Sequence, residues 1–169
     1  MNSSIKFFLP IIAVALTSYG LSKAKQHNIA QVALAGDMVT EDGLVTMTSP
    51  YDVSETGDRL ETIIEEKGLT LFDRIDHNAN AQDAGLELEP TELLIFGNPK
   101  VGTPLMQCSI TTAIDLPQKV LVYQDENEQT QIVYNQPEYL KQRHNIKGCD
   151  EVLEKVTGAL DAIASEAIE

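Results

Sequence analysis

The segment Glu92-Leu93-Leu94-Ile95-Phe96-Gly97-Asn98-Pro99-Lys100-Val101-Gly102-Thr103-Pro104-Leu105-Met106 decides how the rest of the chain is read. Leu93 to Phe96 is an unbroken apolar run, the pattern of a strand covered on both faces. Gly97 and Asn98-Pro99 end it, because proline removes a ladder donor and restricts the residue before it. Thr103-Pro104 then reads as a helix start, with Thr103 as N-cap and proline at the first helical position. A strand that turns directly into a helix needs partners for both.

Those partners lie on either side. Leu44 to Ser49 alternates apolar and polar residues and predicts a strand. Ser54 caps a predicted helix, with Val53 as a hydrophobic staple, Leu60, Ile63 and Ile64 on one face, and Gly68 as the stop. Leu69 to Ile75 predicts a second strand, and Asn78 to Gly85 a short helical or irregular stretch. Lys119 to Gln124 and Thr130 to Tyr134 flank a turn at Asp125 to Gln129 and predict a hairpin. Asn135 and Pro137 open a short helix ending near His144. Asp150 starts the last helix, with a stripe of Val152, Val156, Leu160 and Ile163 and with Ala159 and Ala167 beside it. Runs of adjacent strands with segregated helices predict an α+β fold: a two-layer sandwich, mainly antiparallel, of about five strands with helices on one face.

The opening segment is similar to the signature of the domain-of-unknown-function family 302 (DUF 302). Further motifs follow the same order: Glu55-Thr56 with Asp58-Arg59-Leu60, Gly68-Leu69, and Arg74-Ile75-Asp76-His77. Gly85-Leu86-Glu87-Leu88 leads to Pro90-Thr91-Glu92, and Asp115-Leu116-Pro117 precedes Lys119-Val120-Leu121-Val122. Tyr134-Asn135, Pro137, Tyr139-Leu140 and Arg143-His144 complete the series. The resemblance spans roughly Leu44 to Ala167 and implies a two-layer fold with an antiparallel sheet, and homodimers. It implies no reaction.

Charge and termini narrow the setting. The chain carries 12 Lys and Arg against 26 Asp and Glu, a net charge of -14. Such a surface excludes nucleic acid and anionic lipid as partners, since both require a basic patch. Lys6 precedes the apolar stretch Phe7 to Leu16, and Ser22-Lys23-Ala24 has the small-x-small pattern of a signal-peptidase site. Residues 1–24 therefore read as a signal peptide, 25–43 as a lead-in containing His27, and 44–169 as the domain. The expected location is periplasmic, with no stable membrane span once the signal is removed. An uncleaved N-terminal anchor is the alternative.

Several residues could carry chemistry. Gly97, Asn98, Lys100, Gly102 and Thr103 could hold an anion or carboxylate, because the N–H groups of a helix N-terminus point outward and Lys100 adds a full charge. The plainer reading is a turn and a cap. His77 and His144, with Asp73, Asp76 or a sulfur, could ligate a metal, or a haem with Met106 or Cys108, although no close ligand spacing is present. Their plainer readings are a turn residue for His77 and a cation at a helix C-terminus for His144. Cys108 and Cys149 are the only cysteines. In an oxidising compartment they form one disulfide, or else they are two separate buried thiols. Asp76 or Asp115 could serve as a base. Ser109, Thr111 and Thr112 have no nucleophile-elbow pattern and no histidine nearby in sequence. The expected function is an exported, homodimeric binding or interaction module for an unidentified small molecule, with no recognisable catalytic constellation. The alternative is a metal- or haem-associated periplasmic redox protein using His77 and His144.

Overall fold

The computed structural model describes Met38–Val39 and residues 42–169. The signal-peptide, cleavage-site and most lead-in expectations lie outside these residues. The described residues fall within one compact unit, residues 34–169.

The strands are β1 (Met38–Val39), β2 (Leu44–Ser49), β3 (Thr70–Asp76), β4 (Thr91–Gly97), β5 (Gln118–Gln124) and β6 (Thr130–Asn135). They form one antiparallel sheet in the order β1-β2-β6-β5-β4-β3. The helices are α1 (Val53–Glu66), α2 (His77–Asp83), α3 (Pro99–Cys108), α4 (Pro137–Arg143) and α5 (Asp150–Ala167), with a 3-10 segment at Ile110–Ile114. This is the expected α+β sandwich. The two-residue β1 extends the sheet into the segment read as a lead-in.

Cross-strand register explains which side chains form the core. Leu94 faces Val120, Val120 faces Tyr134, and Tyr134 faces Val45, so one face of the sheet carries a continuous apolar row. Leu60 and Ile64 of α1 and Val156, Leu160 and Ile163 of α5 pack onto that row. Leu93 and Ile95 point the other way and are only half-buried, so the apolar run is not sealed on both faces as its composition suggested.

Two caps differ from the sequence reading. Asp52, not Ser54, caps α1 by accepting from the Glu55 N–H at 2.8 Å. Asn98, not Thr103, caps α3, and Pro104 lies inside that helix. Asn98 wins because its short side chain closes onto the Lys100 N–H and Pro99 occupies the first helical position. In α5, Leu153 and Ala164 complete the buried stripe, whereas Ala159 is exposed.

Charge is organised at the sheet edge. Arg74 on β3 reaches under α1 to Asp58 (2.6 Å), Glu61 (3.1 Å) and Glu92 (2.7 Å). Burial alone would lower the Arg74 pKa, but hydrogen bonds to Asp58 and Glu92 reverse this and hold it fully charged. Burial raises the Glu92 pKa despite the opposing pull of Arg74, so the pairing does not fully offset the loss of water. Gly57 of α1 makes room for this pair. A Cβ there would lie 2.5 Å from both the Arg74 Nη2 and the Glu92 Oε2 atoms. Alanine normally favours a helix interior over glycine by about 1 kcal/mol. We expect the opposite here: Gly57→Ala should lower stability by about 1–3 kcal/mol through overpacking, measured by urea denaturation. An unchanged or higher midpoint would show that the ion cluster yields freely.

Candidate functional site

α3 is a lightly anchored helix. Leu105 is its one buried residue. Its start is held by Asn98 and its end by a disulfide between Cys108 and Cys149, the residue that caps α5. The Cα separation is 6.5 Å, within the range a disulfide spans.

Between α3, the sheet edge and α5 lies a cavity of about 270 Å³ with an almost wholly apolar lining. Gly97, Asn98, Gly102 and Thr103 border it, together with Met106, and Phe72, Leu116, Pro117 and Val156 close it. Phe72 is available because β3 shifts register between Leu71 and Asp73, leaving it unpaired in the ladder and half-exposed. Lys100 does not line the cavity.

At the helix start where an anion is expected, the first backbone N–H groups are already engaged within the turn. Pro99 has no N–H. The Lys100 N–H donates to the Asn98 side chain at 2.9 Å, and those of Val101 and Gly102 donate to the Asn98 carbonyl at 2.9 Å. The turn and its cap use these backbone donors. The space suits an apolar molecule.

A second cluster lies beside the 3-10 segment. His144, at the C-cap of α4, places Nε2 2.5 Å from Asp115 Oδ2 and Nδ1 3.1 Å from Thr111 Oγ1. Arg143 Nε stands 3.6 Å from the same Asp115 oxygen. Ser109 Oγ donates to the His144 carbonyl at 2.8 Å and lies 3.2 Å from Thr111 Oγ1. The His144 side chain is 5% exposed, so packing and two hydrogen bonds hold the ring.

The structure does not bring His77 and His144 together. His77 follows the Asp76 end of β3, which pairs with Glu92, whereas Asp115 and its partner His144 lie near the Gln118 end of β5, which pairs with Phe96. The seven residues of β3 span about 20 Å at roughly 3.4 Å each. Both ring nitrogens of His144 are occupied by protein, and Cys108 is bonded to Cys149. Among the described residues no group of three or more His, Cys, Asp and Glu could hold a metal ion. The proposed ligand pair thus fails on distance and on ligand availability. Asp76 caps α2 through the Ala79 N–H, and Asp115 is the one candidate base that meets a histidine. Thr111 was passed over because its histidine lies 33 residues away in sequence. Only folding makes them neighbours.

The sequence profile of the family described as "Domain of unknown function DUF302" matches residues 45–163. Two relatives from Brucella suis biovar 1 and Brucella abortus biovar 1, both named "Fluoride-specific ion channel FluC 1", are 43% identical over 108 residues, or 64% of this chain. The match covers 42% and 40% of those proteins, so this chain spans about two-fifths of their length. Among solved structures, an uncharacterised conserved DUF302 protein from Bacillus stearothermophilus superposes with a TM-score of 0.67 at 23% identity, covering 74% of this chain and 98% of that one. That likeness concerns the fold.

The disulfide leads to a direct test. Closing a loop of this length stabilises a fold by about 4 kcal/mol in the chain-entropy model. We expect Cys149→Ser to lower the melting temperature by on the order of 10 °C, and no thiol to titrate in the denatured, unreduced protein. Two titrating thiols would show that the cysteines are only packed together.

Proposed function

The chain belongs to the DUF302 family, and on that premise we propose that it is an exported, homodimeric binding module that takes up a small apolar molecule beneath α3. The observation that carries this reading is the apolar cavity at Gly97, Asn98, Gly102 and Thr103, beside a helix start whose first backbone donors are already used. Apolar pockets with a few polar groups at the rim are the usual form of small-molecule sites. Asn98, Thr103 and Gln118 are polar residues of the lining. Export rests on the Lys6, apolar-run and Ser22-Lys23-Ala24 series. Among the described residues no helix is long and apolar enough to cross a membrane.

Native mass spectrometry of protein taken from the periplasmic fraction of its own host tests all three parts. The expected species is a dimer of chains beginning at Lys25, carrying a small apolar molecule. A Cβ at Gly102 would meet only Leu116 Cδ1, at 3.8 Å, so a larger side chain there enters the cavity rather than the backbone. Gly102→Leu should keep the fold, as judged by its circular dichroism, and lose the bound mass. A ligand-free wild type that also fails to take up an apolar fluorescent probe would remove the binding reading. A full-length chain in the cytoplasm would remove export, and a monomer the dimer.

The names of the Brucella relatives favour a second reading, in which the module serves a fluoride channel. Segments similar to this one occur there within chains named as channels. In this reading the module acts with a fluoride channel, and deleting its gene should increase the fluoride sensitivity of the host's growth. Unchanged sensitivity would eliminate this reading without touching the cavity.

A further inference from the structure

We propose that Thr111 is a nucleophile, activated by His144 and Asp115, that accepts the acyl group of an activated carboxylic ester. Thr111, Asp115 and His144 do not line the cavity. A hydroxyl becomes nucleophilic when a base within hydrogen-bond reach takes its proton and a third group fixes that base. All three parts are present. Asp115 Oδ2 can only accept, so its 2.5 Å contact places a proton on His144 Nε2. In the neutral ring Nδ1 is then the lone-pair nitrogen, and it faces Thr111 Oγ1 at 3.1 Å. Arg143 Nε stands 3.6 Å from the same carboxylate oxygen.

Thr111 is suited to the role and Ser109 is not. The proton of Ser109 goes to the His144 carbonyl, and no nitrogen of the ring faces its oxygen. Thr111 is exposed while the base beneath it is buried, so a substrate reaches the hydroxyl without displacing the ring. In a 3-10 segment, residues three apart eclipse each other. Ile114 therefore projects on the same side as Thr111. It is 75% exposed. This side chain offers an apolar surface to the acyl group, which points to a small or aliphatic acyl ester rather than a charged one.

The step balances without an oxidant or reductant. Thr111 Oγ1 bonds to the acyl carbon while its proton passes to His144 Nδ1. The ester C–O bond breaks, and the leaving alkoxide takes that proton and departs as an alcohol. Water then attacks the acyl-Thr111 ester, giving its proton to Nδ1. The acid is released, and Thr111 recovers its proton. Asp115 stays ionised and stabilises the imidazolium in both halves.

The test uses p-nitrophenyl acetate with the mature, disulfide-bonded protein. A burst of p-nitrophenolate is expected, with one acetyl group per chain located by peptide mapping on Thr111. Thr111→Val, an exposed substitution of the same shape, should lose the label and slow turnover by at least about 100-fold, the usual contribution of such proton transfer. Thr111→Ser, which restores a hydroxyl, should regain both, whereas a structural role for the threonine would move neither. His144→Gln should behave as Thr111→Val where its melting curve shows it folded; if it does not fold, the Thr111→Val and Thr111→Ser pair decides. No acetyl group on the chain, an acetyl group on another residue, or undiminished turnover in Thr111→Val would overturn the proposal.

Discussion

The fold depends on one buried layer, in which Leu60 and Ile64 of α1 and Ile163 of α5 lie against Leu94, Val122 and Ile132 of the sheet. Each of these side chains is at most 2% exposed. Burying one such side chain contributes about 1.5–3 kcal/mol, and among the described residues no polar contact acts over so many residues at once. The layer sets where α1 crosses the sheet and how α5 lies beside it. It thereby fixes the edge at which α3 is hung.

α3 itself is outside that layer. With one buried residue, a capping asparagine and a disulfide, it is positioned by its two ends more than by its faces. That arrangement leaves room beneath it, and the apolar cavity follows. Packing density elsewhere in the core would not tolerate such a void. The same economy appears further along the same edge strand, where Gly57 omits a side chain so that Arg74 can meet Glu92.

The 3-10 segment separates two kinds of chemistry. Ala113, and Leu116 just beyond the segment, border the cavity. Thr111 and Asp115 meet His144. One short segment thus contributes apolar walls to one site and polar groups to the other, because a three-residue period turns neighbouring side chains to different sides.

Local order was legible in the residues themselves. Alternation at Leu44 to Ser49, the apolar run Leu93 to Phe96, the hairpin around Asp125 to Gln129 and the stripe Val156, Leu160 and Ile163 depend on periods of two and about 3.6 residues, which any chain displays before it folds. The motif series led to the same family as the profile match. Caps were less legible: Asp52 over Ser54 and Asn98 over Thr103 were decided by which short side chain could close on an N–H, and that depends on backbone angles. Contacts across long separations were not legible at all. Sequence nominated Asp115 and His144 for different roles and passed over Thr111, since nothing along the chain reports that residues 33 apart are neighbours. It left Cys108 and Cys149 open for the same reason. The packing of α5 against α3 and α4, and of α3 against the 3-10 segment, brings these groups together, so pattern determined the elements, and only tertiary packing decided which side chains meet.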